Sequence, residues 1–278
     1  MNVYEIITSR IIEKLEAGTA PWQKPWTGGE MPKNLTTGKT YRGANLFLLN
    51  MMNFSSPYWL TFRQCKERGG HVKPGEKATP IVFWNISKRE DEDGEEREIP
   101  LLRYYNVFNV EQCEGLQVDA IAAEPQHFSP LTECERIIND MPNSPEIRHN
   151  EPRAYYVPAK DYVNMPKAET FHSSEEYYST LFHELTHATG HSSRLNRKGL
   201  TVNAFGSSEY GKEELVAEMG AAFLCGSTRI ENRVIDNSAA YVAGWLKAIK
   251  GDKKIFITAA AAAQKAADYI LNIKEPSE

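Results

Sequence analysis

Ser179-Thr-Leu-Phe-His183-Glu184-Leu-Thr-His187-Ala-Thr-Gly190-His191 is the stretch that decides how the rest of the chain is read. It contains His-Glu-x-x-His. On an α-helix, residues four apart lie one turn apart on the same face, so His183 and His187 point the same way. Two imidazoles held like this can share one Zn²⁺ and leave a coordination position open for water. Glu184 lies beside them and can take a proton from that water, the general-base role in zinc hydrolases. Ser173 and Glu176 are spaced as a capping box, Glu175 and Glu176 suit the first turn, and Gly190 suits the position just past the last turn.

A third ligand is needed. One common spacing calls for His six positions after His187, but that residue is Ser193; a shorter spacer reaches Gly206 or Ser207, and neither can ligate. The next acidic helical stretch is Glu213-Glu214-Leu-Val-Ala-Glu218-Met-Gly-Ala-Ala-Phe-Leu-Cys225. Glu214 and Glu218 share a face, and Ala217, Gly220, Ala221 and Ala222 are small enough for close helix approach. A ligand carboxylate followed four residues later by an acid that bonds the far nitrogen of a ligand His is an arrangement such sites use. A solvated acidic face is the plainer reading. His191 is the rival ligand, carried about 12 Å along the axis from His183 unless the chain breaks at Gly190; lining the cleft or capping the helix suits it better.

The 278 residues suggest two domains of ordinary size, each able to bury its own core. No apolar run approaches a membrane span, and no basic-then-apolar leader opens the chain, so a cytoplasmic protein without a membrane partner is expected. Cys65, Cys113, Cys134 and Cys225 lie too far apart in sequence for paired metal spacing, as expected of reduced thiols. The net charge of −5 is unevenly spread: residues 1–89 carry 13 Lys and Arg against 6 Asp and Glu, a net of +7, and the remainder carries 19 against 31, a net of −12. A basic part joined to an acidic one suggests a polyanionic partner for the first.

Along the chain, Val3, Ile6, Ile7, Ile11, Ile12 and Leu15 predict a helix over 2–17, closed by Gly18. A stiff loop, Pro21-Trp22-Gln-Lys24-Pro-Trp26, follows, then a basic segment from Lys33 to Gly43 containing Lys39, Tyr41 and Arg42. Ala44–Met52 predicts an apolar helix, and Tyr58–Gln64 opens another. Thr79–Ile86 and Ile99–Val110 predict two strands joined through the acidic stretch Glu90–Glu98, a solvated hairpin tip. Residues 111–150 are punctuated by four prolines around a short helix at Thr132–Asp140. Arg153–Pro166 predicts a hairpin or edge strand suited to aligning an extended peptide. Asn237–Lys250 and Ile255–Asn272 predict two further helices. In the first part, Trp, Tyr, Arg and Lys are interleaved in the manner of single-stranded nucleic-acid binders, where bases stack on rings and cations meet phosphates; a structural use of the same rings is equally open.

Several ordered motifs together resemble the ArdC-type antirestriction proteins of conjugative plasmids, over nearly the whole chain. These are Pro21-Trp22-x-Lys24-Pro25-Trp26, Tyr41-Arg42-Gly43-x-Asn45, Trp59-x-Thr61-Phe62, Gly69-Gly70-His71-Val72 with Lys73-x-Gly75-Glu76-Lys77, and Val107-Phe108-Asn109-Val110-Glu111-Gln112. His183-Glu184-x-x-His187 and Glu213-Glu214-Leu215-Val216-Ala217-Glu218 match that family's second part.

The resemblance implies an α+β protein of two domains: an α+β single-stranded-DNA-binding domain (1–115), a linker (116–150) and a mostly helical zincin-like metallopeptidase domain (151–278). It implies protection of incoming plasmid or phage DNA from restriction. Zn²⁺ is the expected metal, with Mn²⁺ as the alternative, and Glu184 is the catalytic residue. His183, His187 and, by position, Glu214 are the ligands, with Glu213, Glu218 and His191 around them. Candidate DNA contacts are Trp22, Lys24, Trp26, Lys39, Tyr41, Arg42, Asn45, Trp59, Arg63, Lys73 and Lys77. Expected partners are single-stranded DNA and a restriction subunit or other DNA-bound protein. Two alternatives stand beside this: a non-enzymatic DNA shield with a structural metal, and a protease that clears DNA-bound proteins.

Overall fold

A computed structural model describes residues 3–18, 20, 31–90, 96–116, 130–197, 208–230 and 239–273. Trp22, Lys24, Trp26 and the hairpin tip at 91–95 therefore lie outside the described residues. The architecture is α+β, an N-terminal sheet region followed by a C-terminal helical region.

The N-terminal region opens with helix α1 (Val3–Glu16), whose Ile7, Ile11 and Leu15 are buried at helical spacing. Its main sheet has the order β1-β2-β5-β4, formed by Lys33–Asn34, Tyr58–Thr61, Glu96–Asn109 and Thr79–Glu90. Strand β1 runs parallel to β2, and the β2–β5 and β5–β4 pairs are antiparallel. Tyr58–Thr61 is thus a strand, where the sequence predicts the start of a helix. Alternation explains it: Trp59 and Leu60 go to opposite faces and both are buried. Helix α3 (Phe62–Glu67) begins only at Thr61, whose hydroxyl accepts from the Gln64 amide while the Gln64 side chain accepts from the Thr61 amide. Helix α2 (Ala44–Asn50) lies along the outer edge of β4, and His71–Val72 (β3) pairs with Cys113–Glu114 (β6).

The C-terminal region contains α4 (Pro130–Asp140), α5 (Ser174–Ala188), α6 (Ser208–Thr228), α7 (Ala239–Gly251) and α8 (Ile255–Ile270). A small sheet of order β7-β9-β8 (Glu146–Arg148, Tyr162–Asn164, Tyr155–Val157) leaves β8 on its edge. Much of the expected linker is built into this part. Cys134, Ile137 and Met141 of α4 and its C-terminal boundary are buried, and β7 is a sheet member.

The expectation of separate cores does not hold. Ile7, Ile11, Phe47 and Val82 belong to one buried cluster with Phe182, Phe223, Trp245 and Phe256. Phe47 of α2 stacks on Phe223 of α6 with centroids 4.8 Å apart and meets Phe256 edge-on at 6.3 Å. At the rim, Arg42 pairs with Asp268, the Gly43 amide donates to Gln264 at 3.0 Å, and the Thr8 hydroxyl donates to the Lys253 carbonyl at 2.8 Å. Apolar faces of α1 and α2 are covered by helices more than 170 positions away in the chain, which periodicity within one helix cannot reveal.

The approach of α5 to α6 depends on Gly220. A Cβ there would stand 2.5 Å from Thr186 Cγ2 and 2.7 Å from its Oγ1, and that hydroxyl is already committed to the Phe182 carbonyl at 2.7 Å. Gly220→Ala is expected to destabilise the protein by about 1–3 kcal/mol, the usual range for overpacking, read as a lowered midpoint in thermal or denaturant unfolding.

Candidate metal centre

Helix α5 starts where the chain predicts: the Ser173 hydroxyl accepts from the Glu176 amide at 3.2 Å. The return contact differs, since the Glu176 carboxylate accepts from the His172 amide at 2.9 Å. Leu181, Phe182, Leu185 and Ala188 anchor the helix in the core and turn His183 and His187 toward α6. The two Nε2 atoms stand 3.1 Å apart. Facing them, Glu214 places Oε2 3.7 Å from His183 Nε2 and Oε1 3.5 Å from His187 Nε2. These three side chains form a group with one ligand atom from each within 4.8 Å of the others.

The surrounding groups set the charge state. Burial and the neighbouring His187 hold His183 well below the usual imidazole range, so it is neutral and can offer a lone pair. Burial pulls His187 down too, but its bond to Glu213 and the charges of Glu214, Glu184 and Glu213 outweigh that and raise it to about 9. Glu184 is buried, and desolvation raises it to about 7, partly offset by His187 and by the donated Tyr156 backbone amide. Desolvation likewise takes Glu218 up to about 8. Four carboxylates thus crowd two imidazoles in a largely buried space.

That pocket fits a divalent cation. The 3.1 Å between the two Nε2 atoms is less than twice a ~2.0–2.1 Å metal–nitrogen bond, so both can reach one ion. Among the described residues, His183 Nδ1 and Glu218 Oε2 are buried without a hydrogen-bond partner, and Glu218 Oε1 lies 3.9 Å from that Nδ1. Two nitrogens and a carboxylate suit Zn²⁺ or Mn²⁺.

His191 is carried past this group. Its Nδ1 meets the Ser193 hydroxyl at 2.8 Å and accepts from the Ser193 amide, closing the turn after α5. Glu213 takes His187 Nδ1 at 3.4 Å.

Sequence reasoning missed Arg197. Its Nε donates to Glu213 Oε2 at 3.2 Å, Nη2 donates to Glu213 Oε1 and to the Thr186 carbonyl, and Nη1 donates to the Thr189 hydroxyl. A Cβ at Gly190 would lie 3.1 Å from both Arg197 Nη2 and the His187 carbonyl, so the guanidinium sits close against the backbone there. Asp161 was also missed. It accepts from Arg194 and from the Tyr156 hydroxyl, and Arg194 Nε donates to the Ala188 carbonyl, tying the β8 edge to the end of α5. No spacing signal marks these residues, because each acts across a turn or between elements.

The expected DNA contacts separate into two groups. Trp59 is 2% exposed, so it cannot stack on a base. Asn45 binds the Val82 backbone at 2.7 Å through both its amide groups, which makes it a clamp on the β4 edge. The Tyr41 hydroxyl accepts from Asn34 at 3.2 Å, and its ring packs beside Trp59. Arg42 is held by Asp268, Arg63 by Glu67, and Lys73 by the Glu111 carbonyl. Lys39 and Lys77 are exposed.

The N-terminal domain of the anti-restriction factor ArdC, as a family profile, matches residues 1–108, and a zincin-like metallopeptidase profile matches 132–262. The structure also superposes on the metal-free crystal structure of the antirestriction protein ArdC from plasmid R388, with a TM-score of 0.80 and 41% identity over 99% of this chain and 100% of that one. The chain belongs to the ArdC antirestriction family. The Mn(II)-bound ArdC structure matches with a TM-score of 0.78 over 98% of each chain. Protein y4eC of Sinorhizobium fredii is 32% identical over 97% of this chain and 91% of its own length. DNA primase TraC of Escherichia coli is 36% identical over 98% of this chain, which spans only 27% of that primase. The zincin-like domain implies a metal, in keeping with the donor set above. Among the described residues no helix is long and apolar enough to cross a membrane.

Arg197 acts on the metal group through Glu213 and His187. Arg197→Gln is expected to weaken divalent-metal affinity about 10- to 100-fold, the range for partners that orient ligands, and Arg197→Lys to restore part of it. Isothermal titration of the metal-free protein with Zn²⁺ reads both.

Proposed function

We propose that this chain protects incoming DNA from restriction by combining single-stranded-DNA binding in its N-terminal part with a metal-dependent peptidase-type site in its C-terminal part. One observation carries the second half of this reading. His183, His187 and Glu214 converge, with the Glu184 carboxylate buried beside them and raised to about 7. A carboxylate whose proton affinity lies near neutral pH can both take and return a proton, as peptide hydrolysis requires.

Zn²⁺ suits these donors, and Mn²⁺ is the alternative, supported by the Mn(II)-bound ArdC relative. A divalent ion held by His183, His187 and Glu214 supplies Lewis-acid polarisation of a carbonyl and acidifies water. Glu184 removes the proton from the attacking water and delivers it to the leaving amine. Glu213 steadies His187 from behind, and Glu218 stands 3.9 Å behind His183. The β8 edge, tied to α5 through Asp161 and Arg194 and close enough for the Tyr156 amide to donate to Glu184, is the edge along which an extended peptide would lie. A restriction subunit or another DNA-bound protein in the cytoplasm is the proposed target.

Three variants test the assignment. Glu214→Ala is expected to lose its metal on dialysis against a mild chelator, while His191→Ala retains it; the opposite result overturns the ligand set. Glu184→Ala is expected to keep metal and DNA binding and to lose restriction protection in a plasmid-transfer assay. If protection persists in that variant, DNA shielding without peptidase chemistry is the function.

A further inference from the structure

We propose that Phe83, Tyr105 and Arg103, at the base of the β4–β5 hairpin, form the platform on which the bases of a single strand stack. This rests on the reading of the N-terminal part as single-stranded-DNA-binding and assigns the surface that does it. Trp59 and Asn45, two of the residues the sequence motifs favour, are occupied within the fold.

The register places the three residues together. Phe83 pairs with Arg103 and Ile81 with Tyr105, and directly paired residues of an antiparallel ladder project to one face. The Phe83 and Tyr105 rings meet edge-to-face at 6.3 Å. Phe83 is 57% exposed and Tyr105 49%, although burying apolar ring surface is favourable. Beside them on the same face, Ile81 packs against the buried cluster of Leu49, Trp59 and Val107. Two large rings left open on a sheet, and not on a loop, are prepared to receive a flat partner.

Charge selects the partner. Arg103 is exposed, and among the described residues no ion pair or hydrogen bond engages its guanidinium. Tyr41 joins the same cluster as Ile81, with the exposed Lys39 and Arg42 close by in the chain. Phe83, Lys39, Tyr41 and Arg42 lie in the stretch of net charge +7, and Arg103 and Tyr105 are set against it across the β4–β5 ladder. A protein surface would suit the rings but gains little from this positive field. A duplex would suit the charge but keeps its bases stacked on each other. A single strand satisfies both, with bases on the rings and phosphates toward Arg103.

Tyr104 provides an internal control. It is 48% exposed and adjoins Tyr105, but it pairs with Val82 and so projects to the opposite face. In anisotropy titrations of the full-length protein with labelled oligo(dT), Phe83→Ala and Tyr105→Ala are each expected to weaken binding about 5- to 100-fold. Tyr104→Ala should stay within about twofold of the parent, and Tyr105→Phe should bind as the parent does. Arg103→Ala should lower the slope of log affinity against log salt by about one. On an abasic strand of equal length, the parent and the two ring variants should bind alike. The platform is overturned if the ring variants bind oligo(dT) normally, if Tyr104→Ala is equally damaging, or if the abasic strand suffers the same losses. Failure of the parent protein to bind oligo(dT) overturns the DNA-binding reading itself.

Discussion

Close contact between α5 and α6 is the constraint on which the candidate site depends. The two helices meet where Gly220 leaves no side chain against Thr186, and the alanines on either side keep the α6 surface shallow. His183 and His187 can then face Glu214 and Glu218 across a gap a metal ion would fill. A side chain at position 220 would push the carboxylates outward, and a 1 Å error is large for a ligand set. Small residues here hold position more than they contribute burial.

That closeness creates an electrostatic problem which the rest of the site answers. Glu184, Glu213, Glu214 and Glu218 are brought into a largely buried space where unbalanced charge is costly. Arg197 neutralises Glu213 and fastens the end of α5, while Glu184 and Glu218 respond by holding their protons more tightly. Glu214 faces both imidazoles, and the three side chains together form the candidate metal group. The candidate metal group and the raised Glu184 carboxylate therefore arise from the same packing, and neither needs a separate device.

The shared core gives the two parts of the molecule a common mechanical frame. Phe47 lies on α2, directly after the Asn45 clamp on the β4 edge, and it stacks on Phe223 of α6, the helix that also bears Glu214. Separate family profiles describe the two parts, and yet their buried residues form one cluster. Neither part presents a finished apolar surface without the other.

Much was legible before any coordinates. The spacing of His183 and His187 is fixed by helical geometry, and the acids beginning α6 are fixed by composition, so the chemical theme follows from local sequence. Helices α1, α2, α5 and α8 follow from apolar periodicity for the same reason, since a helix is set by near neighbours. What depends on distant partners was not legible. Tyr58–Thr61 is a strand because β1 and β5 flank it, Trp59 is buried because α2 and β5 cover it, and Arg197 matters because a turn folds it onto Glu213. By itself the sequence determined which groups could bind a metal and which stretches would form helices, because both are matters of a few residues' spacing. Only the tertiary structure decided which aromatic rings stay exposed and which cation balances the carboxylates, because burial and charge pairing are settled by residues far apart in the chain.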